Sequence, residues 1–341
     1  MSEIAQTPKT LLWLQSGGCG GCTLSLICAE SPDLASALTN AGIGLLWHPA
    51  LSEETGTQAV EVIKQVLSGD LALDILCLEG AVMMGPDGTG RFHMASGFDD
   101  TPMKDLIADL ARLSDYVVAV GSCAAFGGIT SGGDNFVEAQ GLAFEAEVSS
   151  GLLGGRFRSR RDLPVVNISG CPIHPDWVVE TLAQIAADGL GADDLDNYGR
   201  PKTISNKLVH HGCSRNEFYE FKASAADLGD LGCLMENLGC KGTQASGDCN
   251  MRNWNGSGSC ISGGYPCIAC TEPGFEEPGH PFVETPKIAG IPIGLPTDMP
   301  KAWFVALASL SKAATPERLR TNAHADHIKV APQPKTKVRR P

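Results

Sequence analysis

The chain has 341 residues, 43% hydrophobic and 19% charged, enough for two domains with a core each, which excludes a disordered or fibrous protein. A formal net charge of -13 excludes a nucleic-acid binder, because phosphate contacts need lysine and arginine in excess. The opening MSEIAQTPK has no charged and apolar leader pattern and no twin arginine, so a cytoplasmic location is expected, and thirteen cysteines in a reducing compartment are metal ligands, redox thiols or small core residues before they are disulfides.

The first half repeats one pattern: a short apolar run, a glycine-rich turn, then a helix-like stretch. The runs are TLLWLQ, IGLLWH, LDILCLEG, YVVAVG and LPVVNISG, and between them lie segments such as Gln58 to Leu67 with helical spacing of apolar residues. This predicts an α/β domain with a doubly wound parallel sheet, in which the loops after the strands' carboxyl ends meet in one crevice. Three of those loops carry cysteine: SGGCGGC with Cys19 and Cys22, GSCAAFGG with Cys123, and SGCPIHP with Cys171. Four thiolates in one crevice suit an iron-sulfur cluster or tetrahedral zinc, and glycines there let backbone amides approach a cluster's sulfurs. Cys28 and Cys77 lie in apolar surroundings outside these loops and are expected in the core.

The second half is loop-rich. In HHGC, His210 lies three residues before Cys213, and Cys233 and Cys240 flank a short helix-like segment, which makes a His-plus-three-Cys set that iron or zinc would accept. The stretch DCNMRNWNGSGSCISGGYPCIAC then supplies Cys249, Cys260, Cys267 and Cys270. AWFVALASL, Ala302 to Leu310, is about half the ~20 residues a membrane span needs, and is expected as a core helix. Ile328 to Pro341 carries Lys329, Lys335, Lys337, Arg339 and Arg340 with no acid, the composition of a solvated, mobile tail.

Six motifs, WLQSGGCGGC, GSCAAFGG, GCPIHP, GCKGTQ, YPCIACTEPGFEEP and GIPIGLPTDMPKAW, resemble in content and order the small, electron-transfer subunit of nickel-iron hydrogenases. The resemblance implies a flavodoxin-like domain over residues 1–180 and a loop-rich, mostly irregular or helical iron-sulfur domain over 181–327, with the tail after it. It implies three clusters in a row, leading away from the nickel-iron centre of a separate large subunit; this chain alone is not expected to activate hydrogen. A proximal 4Fe-4S cluster would sit on Cys19, Cys22, Cys123 and Cys171, and a distal one on His210, Cys213, Cys233 and Cys240, with His211 the weaker candidate. The medial cluster would take Cys249, Cys267 and Cys270. Many members have a proline where Cys260 stands and a 3Fe-4S medial cluster; a thiol there implies a fourth ligand and a complete 4Fe-4S cube. Glu79 matches a glutamate kept close to the proximal cluster and is a candidate proton relay.

Gly21 and Gly128 stand where oxygen-tolerant members add two cysteines, so an ordinary proximal cluster is expected. HHGC, CLMENLGCKGTQ and EPGFEEPGHPF look most like the cytoplasmic hydrogen-sensing hydrogenases, which report hydrogen to a histidine kinase. A cytoplasmic uptake hydrogenase is the alternative and a structural zinc protein a remote one. Cluster subunits of quinone oxidoreductases share the first domain's design but lack the second set of ligands. The partners implied are the large subunit, in an obligate heterodimer or a dimer of heterodimers, and a histidine kinase; neither nucleic acid nor a membrane span is expected.

Overall fold

The computed structural model describes residues 8–254, 256–278, 282–288, 291–292 and 300–332. The opening residues, most of GIPIGLPTDMPKAW and the tail beyond 332 lie outside the described residues. The chain divides into two compact units: Met1–Lys207 with Trp254–Gly256 and Cys270–His280, and Leu208–Asn253 with Ser257–Ala269 and Pro281–Pro341.

The first unit is built on five parallel strands, β1 (Lys9–Gln15), β2 (Ile43–Trp47), β3 (Ile75–Glu79), β4 (Tyr116–Val120) and β5 (Val166–Ile168). Each is one of the apolar runs predicted from sequence. Their order, β2-β1-β3-β4-β5, is the flavodoxin-like arrangement, whose direction of winding reverses beside β1. Every residue of β3 and β4 is buried, which is why these strands read as unbroken apolar runs and not as alternating ones. Six helices follow the strands or interrupt their crossovers: α1 (Gly21–Leu26), α2 (Leu34–Asn40), α3 (Thr57–Ser68), α4 (Met103–Leu113), α5 (Ser122–Phe126) and α6 (Pro175–Ala186). Ile63 and Val66 of α3 and Leu106, Ile107 and Leu110 of α4 share one core with Leu12, Leu14, Leu76, Leu78, Val117 and Ala119. The alternate residues Leu11, Trp13, Ile75, Cys77 and Val118 are equally buried, and α1 and α2 pack against α6.

A boundary at 180 would cut α6. The first unit continues to Lys207 because Leu190, Leu195 and Ile204 beyond that helix are buried too, and a short helix α7 (Lys202–Ser205) closes it. Cys77 is buried at the centre of β3, as expected. Cys28 is not a core residue: α1 ends at Leu26, and the turn after it leaves Cys28 exposed.

Among the described residues the second unit has three α-helices, α8 (Asn216–Glu220), α9 (Lys301–Ala313) and α10 (Glu317–Ala323), and one 3-10 turn at Val209–Gly212, joined by long irregular segments. The stretch between Cys233 and Cys240 is a turn and not a helix. AWFVALASL does form a helix, but not in a core: Trp303, Leu307 and Leu310 are 68%, 59% and 68% exposed. They recur at helical spacing, so their stripe is as regular as that of a buried helix. The small apolar cluster nearby, Ala223 with Phe218 and Phe221, is instead covered by Leu319 and Ala323 of α10.

With so little regular structure, side chains tie this unit's backbone together. Buried Arg215 donates to the carbonyls of Asp230, Gly232 (2.7 Å) and Ile261 (3.3 Å), joining three distant segments. Arg215→Met keeps the apolar stem and strands those carbonyls. It should cost about 2–4 kcal/mol, read as a clearly lower midpoint of thermal unfolding of the purified protein, and an unchanged midpoint would refute this role.

Candidate metal centres

The register of the sheet sets Gln15 beside Glu79, Glu79 beside Val120 and Val120 beside Ile168. Four strands therefore end at one level, and their loops start together. Gly17 and Ala81 exchange both backbone hydrogen bonds, 2.9 and 2.7 Å, which draws the loop after β1 onto the loop after β3. Gly80 lies at φ +87, where a Cβ would come within 2.9 Å of the Gly17 backbone. On the other side, Ser122 N donates to Gly170 O (3.0 Å) and Gly170 N to Ser122 Oγ (2.9 Å), holding the loops of Cys123 and Cys171 together.

These contacts bring Cys19, Cys22, Cys123 and Cys171 into one group. Burial pushes the Cys22 thiol far up, and the charges of Glu79, Cys123 and Cys171 add to it. Cys171 is pushed up to about 12, first by burial and then by Cys123, Cys270 and Cys19. Half-buried thiols such as Cys22 and Cys171, whose thiolates would repel their neighbours, ionise only against positive charge, which a metal supplies, while Cys19 at the rim of the group is exposed. Among the described residues no three His, Cys, Asp or Glu side chains stand close enough to hold a single ion. Thiolates that each meet a different iron of a cluster need not converge so far, so this donor set fits an iron-sulfur cluster better than a lone zinc ion. Gly21 and Gly128 both border it: a Cβ would stand 3.1 Å from Cys19 Sγ at the first and 2.8 Å from Cys123 N at the second.

Glu79 is buried, and its carboxylate is crowded with donors. It accepts from Thr23 N (3.0 Å), the Thr23 hydroxyl, Gln15 Nε2 (3.0 Å) and Trp13 Nε1 (3.4 Å). His48, held down to about 4 by burial, is neutral near pH 7; its Nδ1 accepts from Ala50 N, so Nε2 carries the proton toward Thr23 Oγ1 at 3.3 Å. Thr23 follows Cys22 directly, so the network fixes the start of α1. Thr23 and His48 were missed in the sequence; the only signals were a threonine beside a cysteine and a histidine just after a half-buried apolar strand.

In the second unit, His210, Cys213, Cys233 and Cys240 line one cavity with Arg215, Tyr219 and Ile261. Backbone bonds aim them: His210 N to Gly242 O (2.9 Å), Cys213 N to His210 O (3.0 Å) and Cys233 N to Ala223 O (3.0 Å). Burial lowers the pKa of His210, and the neighbouring His211 and Lys222 lower it further, so the ring keeps a lone pair for a metal. Burial also raises Cys213, and takes Cys233 up to about 12. His211 does not line this cavity, and its Nδ1 accepts instead from Leu208 N at 3.2 Å. The donor set again fits a metal cluster.

Cys249 and Cys267 border the apolar cluster of Val209, Ala245, Ile261 and Ala269. Cys260 precedes buried Ile261 and is itself exposed, while Cys270 belongs to the first unit. Of the expected medial set, the second unit thus gathers Cys249 and Cys267 around one core and leaves Cys260 at its edge.

Gly121 tests the first set most sharply, because it lies at φ +88 and a Cβ there would fall 2.5 Å from Cys22 Sγ. Gly121→Ala should displace that thiol at a backbone cost of about 1 kcal/mol or more, and reduce the iron bound per chain. Full iron content in that variant would show that Cys22 is not held as described.

Residues 19–185 match the family model described as NADH ubiquinone oxidoreductase, 20 Kd subunit, and residues 206–283 match the C-terminal model of the NiFe/NiFeSe hydrogenase small subunit. The F420 non-reducing hydrogenase II small subunit of Methanosarcina mazei is 35% identical over 312 residues, covering 85% of this chain and 78% of its own length. The periplasmic NiFeSe hydrogenase small subunit of Desulfomicrobium baculatum is 32% identical, covering 80% and 86%. A chain of the actinobacterial-type NiFe-hydrogenase from Ralstonia eutropha H16 superposes with a TM-score of 0.75 at 28% identity, covering 92% of this chain and 93% of that one. With two thiol sets placed on this fold, and with that identity over most of both lengths, the chain belongs to the small subunits of nickel-iron hydrogenases.

Proposed function

We propose that this small subunit serves a cytoplasmic hydrogen-sensing hydrogenase, in which it joins a large subunit as an obligate heterodimer, or a dimer of heterodimers, and reports to a histidine kinase. The observation that carries the electron-transfer part is the pair of separately built donor sets: four thiols at the level ends of the sheet, and His210 with three thiols in one cavity. When bound, iron-sulfur clusters at these sites and at a medial site would pass single electrons between the large subunit's nickel-iron centre and an acceptor. Cys19, Cys22, Cys123 and Cys171 hold the proximal cluster in this reading; His210, Cys213, Cys233 and Cys240 hold the distal one, and Cys249, Cys260, Cys267 and Cys270 the medial one.

Glu79 has its oxygens occupied by Trp13, Gln15 and Thr23, which favours positioning of Cys22 over a proton relay. Glycine at 21 and 128 supports an ordinary proximal 4Fe-4S cluster. The sensing role rests on the likeness of HHGC, CLMENLGCKGTQ and EPGFEEPGHPF to the sensing hydrogenases. Among the described residues no helix is long and apolar enough to cross a membrane.

Cys260 decides the medial cluster. Electron paramagnetic resonance of the oxidised heterodimer should show no stoichiometric 3Fe-4S signal in the native protein, and such a signal in Cys260→Pro; a full-strength signal in undamaged native protein would remove Cys260 from the ligand set. For the sensing role, hydrogen should change the autophosphorylation of a histidine kinase when the heterodimer is present. A kinase indifferent to hydrogen, with hydrogen uptake intact, would favour the uptake enzyme instead.

A further inference from the structure

The second unit carries a second cavity, of about 320 Å³, walled by Lys222, Ser224, Glu236, Lys312, Arg320 and His324. That is within the roughly 300–1,000 Å³ of pockets that enclose small molecules. Its charge is lopsided. Lys222, Lys312 and Arg320 face a single lining carboxylate, Glu236, which is already engaged by Lys312 Nζ (2.6 Å) and Ser224 Oγ (2.5 Å). Arg320 also lies 3.6 Å from Glu317, but both are exposed, and water screens such a pair so strongly that it holds little of the Arg320 charge. Lys222 holds its ammonium 3.8 Å above the ring of Tyr219 and not against an acid. Leaving His324 aside, the lining keeps two positive charges in excess, which matches a doubly charged oxyanion better than a lone carboxylate. Arg320, whose Nη2 also donates to Thr315 O (3.0 Å), adds further guanidinium donors of the kind that suit phosphate oxygens.

The same Tyr219 ring packs edge-on against His210, with centroids 4.3 Å apart. One aromatic ring therefore separates the cavity wall from the histidine of the candidate distal set. We propose that this cavity binds a phosphate-bearing small molecule, a nucleotide or pyrophosphate, one ring away from that set. Its place at the electron exit rests on the hydrogenase reading above; the binding itself does not. A protein partner with acidic side chains fits less well, since the charges line a concavity and not a flat face.

Isothermal titration calorimetry on the purified heterodimer, with ADP, inorganic pyrophosphate and adenosine as probes, tests this. ADP and pyrophosphate should bind and adenosine should not; binding of pyrophosphate alone would identify the inorganic ion as the ligand, and binding of ADP alone a nucleotide. The double variant Lys312→Gln, Arg320→Gln changes exposed side chains and should fold, and it should weaken binding about tenfold or more, the loss expected for two charge-assisted hydrogen bonds. Lys222→Met, on another part of the wall, should weaken it independently. Failure of both phosphates to bind, or equal binding by the variants, overturns the proposal, as does saturation by a polyaspartate peptide with both phosphates inert. A second reading is the reduction potential of the distal cluster, which a bound anion should lower. Binding with no shift overturns the placement beside His210. Phosphate binding in a heterodimer that takes up no hydrogen would refute the hydrogenase reading and leave this one standing.

Discussion

Everything in the first unit depends on four parallel strands ending in register. A parallel strand can return only by a crossover, so every loop after a carboxyl end opens on the same edge of the sheet. Here Gln15, Glu79, Val120 and Ile168 are level neighbours, so loops only a few residues long place their cysteines together. Stagger by two residues, about 6.6 Å of strand, would carry one cysteine out of reach of the others. The closeness has requirements of its own. Gly80 and Gly121 take positive φ where no Cβ fits, the first against the Gly17 backbone and the second against Cys22 Sγ, and burial raises the pKa of the half-buried Cys22 and Cys171. In the bare chain Cys22 and Cys171 therefore stay protonated, and only a metal draws them to the thiolate form.

How much of this was legible follows from how local each signal is. The five strands, their parallel sense and the cysteine loops were readable, because an unbroken apolar run between glycine turns is set by the strand's own burial on both faces. Register was not, since it depends on pairing between strands more than sixty residues apart in sequence, as for Gln15 and Glu79. The same limit explains α9. Trp303, Leu307 and Leu310 have the spacing of a core helix, but whether a core is left for them depends on α10, which comes later in the chain and takes the place over Ala223. Cys28 was misplaced for a smaller reason: apolar neighbours say nothing about which side of a turn a thiol faces.

The ligand set in the second unit was legible and its supports were not. HHGC and the Cys233 to Cys240 turn could be paired by spacing, and His210 is set apart from His211 by which ring lines the cavity. Arg215 gave no sign of its part in joining Asp230, Gly232 and Ile261, because a buried guanidinium reads in sequence like any surface arginine. Thr23 and His48 were hidden in the same way, as ordinary residues whose meaning comes from Glu79.

The two units therefore hold their ligands by different physics. In the first, a sheet with an extensive apolar core fixes the loops, and the metal meets a frame that the backbone has already built. In the second, the apolar clusters are small: Val209, Ala245, Ile261 and Ala269 form one, and Ala225, Leu234 and Leu238 another. Cysteines fill out both: Cys213, Cys240, Cys249 and Cys267 border the first, and Cys240 the second. Where ligands are also core residues, the free energy of metal binding is in large part free energy of folding. The second unit should accordingly depend on its metal for order far more than the first, and the bonds that Arg215 makes to Asp230, Gly232 and Ile261 tie its backbone together where a large core is missing.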